Sequence, residues 1–122
     1  MRDPETIVKE FCAAWGRRDI AELLGYFADD AIYHNMPVAP ATGKDAIGEL
    51  LRLFVPPAER IDFEVLHVAS RGAVVFTERI DRFRMGGREV VIPAAGVFEV
   101  RDGKIAAWRD YFDFATWQRQ TE

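Results

Sequence analysis

Residues 61–112 read IDFEVLHVASRGAVVFTERIDRFRMGGREVVIPAAGVFEVRDGKIAAWRDYF, a run punctuated by turn residues. Ile61, Phe63 and Val65 alternate with polar neighbours, which predicts a strand over Ile61–Ala69 with one covered face. Ser70-Arg71-Gly72 predicts a turn, Ala73–Phe83 a second strand, and Gly86-Gly87 a hairpin. Arg88–Val100 follows as a third strand, with Pro93 expected to mark a bulge or bend. Asp102-Gly103, within Arg101–Lys104, tolerates the positive φ angles of a tight turn. Ile105–Phe112 then completes an antiparallel meander, and a short terminal segment follows Asp113.

Upstream the period becomes helical. Asp3 is expected to cap a first helix with Pro4 at its opening position. Ile7, Val8, Phe11, Cys12, Ala14 and Trp15 form its apolar face. Gly16-Arg17-Arg18 breaks it. Asp19 can cap a second short helix carrying Ile20, Leu23, Leu24 and Phe27, which Asp29-Asp30 closes. Ala31–Met36 reads as a short strand and Pro37–Thr42 as a loop. Gly43–Phe54 predicts a third helix with Ile47, Leu50, Leu51 and Phe54 inward, and Pro56-Pro57 ends it. Helices first and a meander second indicate α+β, with helices on one face of a curved sheet and a pocket at the closed end of the resulting cone.

A chain of 122 residues fits one domain, and 49% hydrophobic residues with nine Phe supply a core. A formal charge of −4 with mixed signs argues against a nucleic-acid footprint. No apolar run approaches the ~18 residues of a membrane span. Met1-Arg2-Asp3-Pro4-Glu5 opens no signal-peptide core, so a cytoplasmic protein is expected. One cysteine excludes an intrachain disulfide, and two histidines give little support to a zinc site.

The informative feature is charge on strand faces. Residues two apart on a strand share a face. Arg79, Asp81 and Phe83 share one, Trp108, Asp110 and Phe112 another, Tyr33 and Asn35 a third. If all three line one interior, two carboxylates, a guanidinium, a phenol and an amide converge in an apolar cavity. One arginine compensates one of two aspartates. A shared proton resolves the excess, leaving one Asp neutral and one ionised. General acid and general base then stand together at neutral pH. Such a pair opens strained three-membered ethers, each role being worth ~10²–10⁴ in rate.

Period alone leaves alternatives. A strand Asp or Arg ordinarily faces solvent, and Arg79 with Asp81 also fits a surface ion pair worth ~0–1 kcal/mol. Glu78, Ile80 and Arg82 compete for the inner face. Ile105 and Trp108 cannot share a strict period-two face, and Tyr33 and Asn35 fit a strand end. Trp15 and Trp117 fit either the core or a substrate wall. Other chemistries are poorly supplied. Ser70 is the sole serine and lies in a turn without a nucleophile elbow. Cys12 reads as a buried inert thiol. His34 and His67 are far apart, and Gly86-Gly87 is a hairpin rather than a phosphate loop.

Three segments keep a familiar order: Tyr33-His34-Asn35-Met36-Pro37, Glu78-Arg79-Ile80-Asp81, and Trp108-Arg109-Asp110-Tyr111-Phe112-Asp113. With Gly96–Val100 and Asp102–Ile105, they resemble the limonene-1,2-epoxide hydrolase family over nearly the whole chain. The resemblance implies a cone of the nuclear transport factor and polyketide cyclase superfamily. In it a strongly curved mixed sheet and N-terminal helices close a deep apolar pocket, in one domain over residues 1–122. It implies that a small apolar epoxide and water give a vicinal diol in one step, without covalent intermediate, cofactor or metal. By that analogy Asp110 is the general base, Tyr33 and Asn35 help it hold water, Asp81 is the acid, and Arg79 bridges the two. Trp15, Phe54, Phe83, Trp108, Phe112 and Trp117 are the expected substrate wall. A homodimer through the outer sheet face is also implied.

The resemblance departs at the N-terminus. Typical members carry a longer segment packed near the pocket, whereas this chain starts almost at its first helix. The pocket is therefore expected either to be more open or to be closed by other residues. Two rivals stand beside hydrolysis: another enzyme of the same cone, such as a steroid-type isomerase or polyketide cyclase, and a non-catalytic small-ligand-binding domain. A contact among Arg79, Asp81 and Asp110 favours hydrolysis. Either aspartate pointing into solvent favours the binding domain.

Overall fold

The computed structural model describes residues 2–122. The chain opens with α1 (Pro4–Ala14), a 3₁₀ turn (Trp15–Arg17) and α2 (Ile20–Leu24). It continues through β1 (Phe27–Asn35), β2 (Ala41–Thr42), α3 (Lys44–Phe54), β3 (Ala58–Arg71), β4 (Val74–Met85), β5 (Arg88–Arg101), β6 (Lys104–Tyr111) and α4 (Phe114–Thr121).

Pro4 sits in the first turn of α1, where a missing N–H costs nothing. Asp3 occupies the N-cap, but its side chain makes no capping bond and instead takes the Thr6 hydroxyl at 3.5 Å. Asp19 does cap α2, accepting from Glu22 N at 3.2 Å. Phe27, expected on that helix, opens β1 instead. Asp29 and Asp30, read as a terminator, lie where the β1–β6 register shifts between the Phe27 and Ile32 pairings. Acidic side chains are tolerated there because that part of the strand lacks a regular partner.

The six strands form one sheet in the order β2-β1-β6-β5-β4-β3. It is mixed, because β1 and β6 run parallel while the other neighbours are antiparallel. The expected cone is overturned. The sheet is open, with β2 and β3 as its two edges, and it is neither closed nor strongly curved. Closure would require β2 to carry a ladder round to β3, and β2 has only two residues. Helices do cover one face: α1 packs on β3 and β4, α3 on β1 and β2, and α4 on β5.

Two puzzles of strand period have local causes. Val100 pairs with Ile105 and Glu99 with Ala107, so Ala106 is an extra residue in β6. That bulge lets both Ile105 and Trp108 face the core, each with no exposed surface. Pro93, in contrast, marks no bulge: it pairs with Ile80 within an unbroken β4–β5 register. β6 pairs with β5 only from Ala95 onward, so beyond β6's end a proline removes no ladder bond.

Phe11 centres the core. The rings of Trp15, Tyr26, Phe27, Phe98 and Trp108 surround it edge-on at 5.1 to 6.2 Å, an arrangement that suits the ring quadrupoles. Among the described residues no helix is long and apolar enough to cross a membrane.

Candidate active site

Register across the sheet builds the site. Thr77, Gly96, Asp110 and Asn35 pair in one row across β4, β5, β6 and β1. Phe63, Asp81 and Ile92 form another row on the same face, with Val65, Arg79 and Ala94 between them. Arg79 therefore stands between the two aspartate rows. Burial settles the face left open by the sequence: Arg79 is 0%, Asp81 5% and Asp110 4% exposed.

The guanidinium spends all five donors. Nε and Nη2 reach Asp81 Oδ1 and Oδ2 at 3.0 and 2.7 Å. Nη1 and Nη2 reach Asp110 Oδ1 and Oδ2 at 3.0 and 2.6 Å. Nη1 also donates to Thr77 Oγ1 at 3.1 Å. Arg79 thus holds both carboxylates bidentately, the strongest neutralisation available to a buried acid. Burial opposes its charge, but the pull of Asp110 and the bonds to Asp81 outweigh it and hold the guanidinium protonated.

The two acids are not equivalent. Asp110 accepts a third donor, Trp108 Nε1 at 2.6 Å. Its two oxygens therefore accept from three N–H donors, more than Asp81 does from one guanidinium face. Asp81 has only Arg79, and burial pushes its carboxyl up from 3.8 to about 6 against that arginine. Of the two acids, Asp81 is thus the one that burial makes readier to hold a proton. Tyr33 stacks on Trp108 at 4.1 Å, and its hydroxyl donates to Asn35 Oδ1 at 3.2 Å. Burial raises the phenol well above its ordinary range, so it remains a neutral donor. Asn35 lines the cavity, and with Oδ1 taken by Tyr33 its amide nitrogen is the group able to donate there.

That cavity has a volume of about 180 Å³, and its floor carries Tyr33, Asn35, Asp81 and Asp110. Of the wall residues expected from the sequence, Phe54, Phe83, Phe112 and Trp117 line it. Trp15 and Trp108 do not. Trp15 is sandwiched between Phe54 and Phe63, and Trp108 between Tyr33 and Phe98, both without exposed surface. Sequence reasoning missed Val38, Leu50, Phe63, Ile92 and Phe114 as lining residues. It also missed α4, although Asp113 is a recognisable N-cap whose carboxylate accepts from Ala115 N at 3.1 Å. Thr77 and Gly96 were missed too; Thr77 had a signal, sharing the Arg79 face two residues away. Among the described residues, no three His, Cys, Asp or Glu side chains gather as a metal site. Cys12 is buried, and desolvation pushes its thiol up to about 12, which suits an inert packing role.

Residues 2–122 match the family model of the limonene-1,2-epoxide hydrolase catalytic domain. The chain is 37% identical over 108 residues to epoxide hydrolase EphG of Mycobacterium tuberculosis, covering 87% of this chain and 70% of that protein. Among solved structures, a limonene-epoxide-hydrolase-like epoxide hydrolase of M. tuberculosis superposes with a TM-score of 0.84 at 30% identity, over 97% of this chain and 91% of that one. A putative polyketide cyclase of Pseudomonas putida reaches 0.89 over 98% of each chain at 19% identity, a likeness of fold alone.

Proposed function

The chain belongs to the limonene-1,2-epoxide hydrolase family, and from that premise we propose that it hydrolyses an apolar epoxide to a vicinal diol by one-step acid–base catalysis. The observation that carries this reading is the arginine bridge: one buried guanidinium bidentate to two buried carboxylates at the floor of an apolar cavity. An isomerase needs a base and oxyanion donors but no cation spanning two acids. A binding domain gains nothing from burying a net negative charge.

Asp110 serves as general base. Its Oδ2 takes only one donor, Arg79 Nη2, and so can accept a proton from water. Asn35, fixed by the Tyr33 hydroxyl, donates to the oxygen of that water and aims it. Asp81, whose carboxyl burial raises to about 6, gives its proton to the epoxide oxygen as the ring opens. Arg79 keeps the acids in place and spreads the charge that moves between them. Asp81 ends ionised and Asp110 protonated, and exchange with solvent restores both. No nucleophilic attack by carboxylate is needed, because Asp110 is held at both oxygens.

Single-turnover hydrolysis in oxygen-18 water tests the scheme, with label expected in the diol alone. Label in an Asp side chain means an ester intermediate and ends the one-step reading. Asp81→Asn and Asp110→Asn are each expected to abolish turnover with the fold retained.

A further inference from the structure

We propose that the epoxide taken by this site is an oxirane bearing a single aromatic ring. This rests on the epoxide hydrolase reading and narrows its substrate class. Size comes first. An apolar protein cavity of roughly 150 Å³ accommodates benzene, and this one, at about 180 Å³, adds room for a three-membered ether.

Wall chemistry comes second. Among the described residues, the side chains that line the cavity beyond Tyr33, Asn35, Asp81 and Asp110 are apolar but for the Trp117 indole N–H, which favours a substrate body without polar groups. Most of that apolar wall is aromatic: Phe54, Phe63, Phe83, Phe112, Phe114 and Trp117. Phe63 meets Phe83 at 6.0 Å and 78°, and Phe83 meets Trp117 at 5.9 Å and 87°. Rings set at right angles offer a guest ring both edges and faces, the contacts arenes prefer.

Reactivity comes third. When the ring-bearing carbon of an aryl oxirane is attacked, its C–O bond breaks as the bond to water oxygen forms. Positive charge then builds beside the arene. Aromatic faces attract positive charge, so the wall favours this transition state over that of a saturated analogue. The departing oxygen takes the Asp81 proton and water gives one to Asp110, so the product is an aryl-1,2-diol with no further reactant.

Phenyloxirane and cyclohexyloxirane share one carbon skeleton and form the test. We expect kcat/KM, divided by each compound's spontaneous hydrolysis rate in the same buffer, to favour phenyl by about tenfold, the scale of one or two aromatic pair contacts. Trp117→Leu and Phe114→Leu should reduce that advantage to below about threefold. Both residues lie on α4, which buries no residue, so the fold is kept and melting temperature checks it. Equal rates for the two epoxides, or an advantage unchanged in both variants, overturn the aryl proposal while hydrolysis stands. Turnover of neither epoxide overturns the hydrolase reading and this inference with it.

Discussion

Gly96 faces Asp110 across the β5–β6 ladder, and a Cβ at Gly96 would lie 2.7 Å from Asp110 Oδ1 and 2.6 Å from Arg79 Nη1. Thr77 Oγ1 would be 3.0 Å away. The glycine is there for room, since its φ is not positive. Every clashing atom belongs to the bridge, so a methyl group has nowhere to go without parting the acids. Gly96→Ala should lower kcat about 100-fold, the usual effect of a small misplacement of reacting groups. Its melting temperature should fall as well, because parting the bridge leaves buried charge poorly compensated. Activity within about threefold of wild type would mean that the bridge is not catalytic.

The pH profile should follow Asp81. The acid must be protonated, and burial holds its folded-state value at about 6. Above about pH 6, kcat/KM should drop close to tenfold per unit. Folding stability carries the same sign. The folded carboxyl sits above its ordinary 3.8, so its contribution is complete below that value and is lost as pH rises through about 6. In Asp81→Asn, melting temperature should lose this pH dependence; an unchanged slope would assign it to another group.

Arg79→Met should be the most damaging change to stability. It leaves two buried carboxylates without a cation, at a cost of about 3–5 kcal/mol. Urea unfolding at pH 5 and pH 8 measures it, with the smaller loss expected at pH 5, where Asp81 takes up a proton. Arg79→Lys keeps the charge but cannot hold two carboxylates bidentately. Turnover should therefore fall about 100-fold or more even if the protein melts normally.

Gln120 should control substrate entry rather than chemistry. Its side chain accepts from Val91 N at 2.7 Å and donates to Val91 O at 2.8 Å, clasping β5 where β6 has ended. This holds α4, with Trp117, over the cavity. Gln120→Ala should raise KM severalfold with kcat nearly unchanged, and hydrogen exchange at Val91 should quicken. A loss confined to kcat would contradict this role.

The meander was legible because its turns carry Gly-Gly and Asp-Gly and its strands keep period two. The inward set of Arg79, Asp81 and Asp110 was legible as a possibility, and only their burial under the helices decides between it and the face of Glu78, Ile80 and Arg82. Sheet shape was not legible. Whether edges meet depends on lengths and registers of distant strands, and the two residues of β2 lie within what reads as loop. Trp15 and Trp108 show a second limit: pattern identifies a large aromatic residue as inward-facing, but not whether it fronts the cavity or backs the side chains that do. Gly96 gave no signal, because the need for empty space there arises from the far ends of three other side chains.

α4 buries no residue of its own, yet it screens the strand edge that β6 leaves bare and supplies part of the cavity's outer rim. A bare strand edge invites pairing with another chain, so shortening the protein beyond Asp113 would risk aggregation before it touched the chemistry. The same division separates permanence from adaptability. The reacting groups are locked into the sheet interior, while preference among molecules depends on a surface helix whose residues can be exchanged at little thermodynamic expense. Selection, natural or in the laboratory, can retune what this protein accepts from that end without dismantling how it reacts.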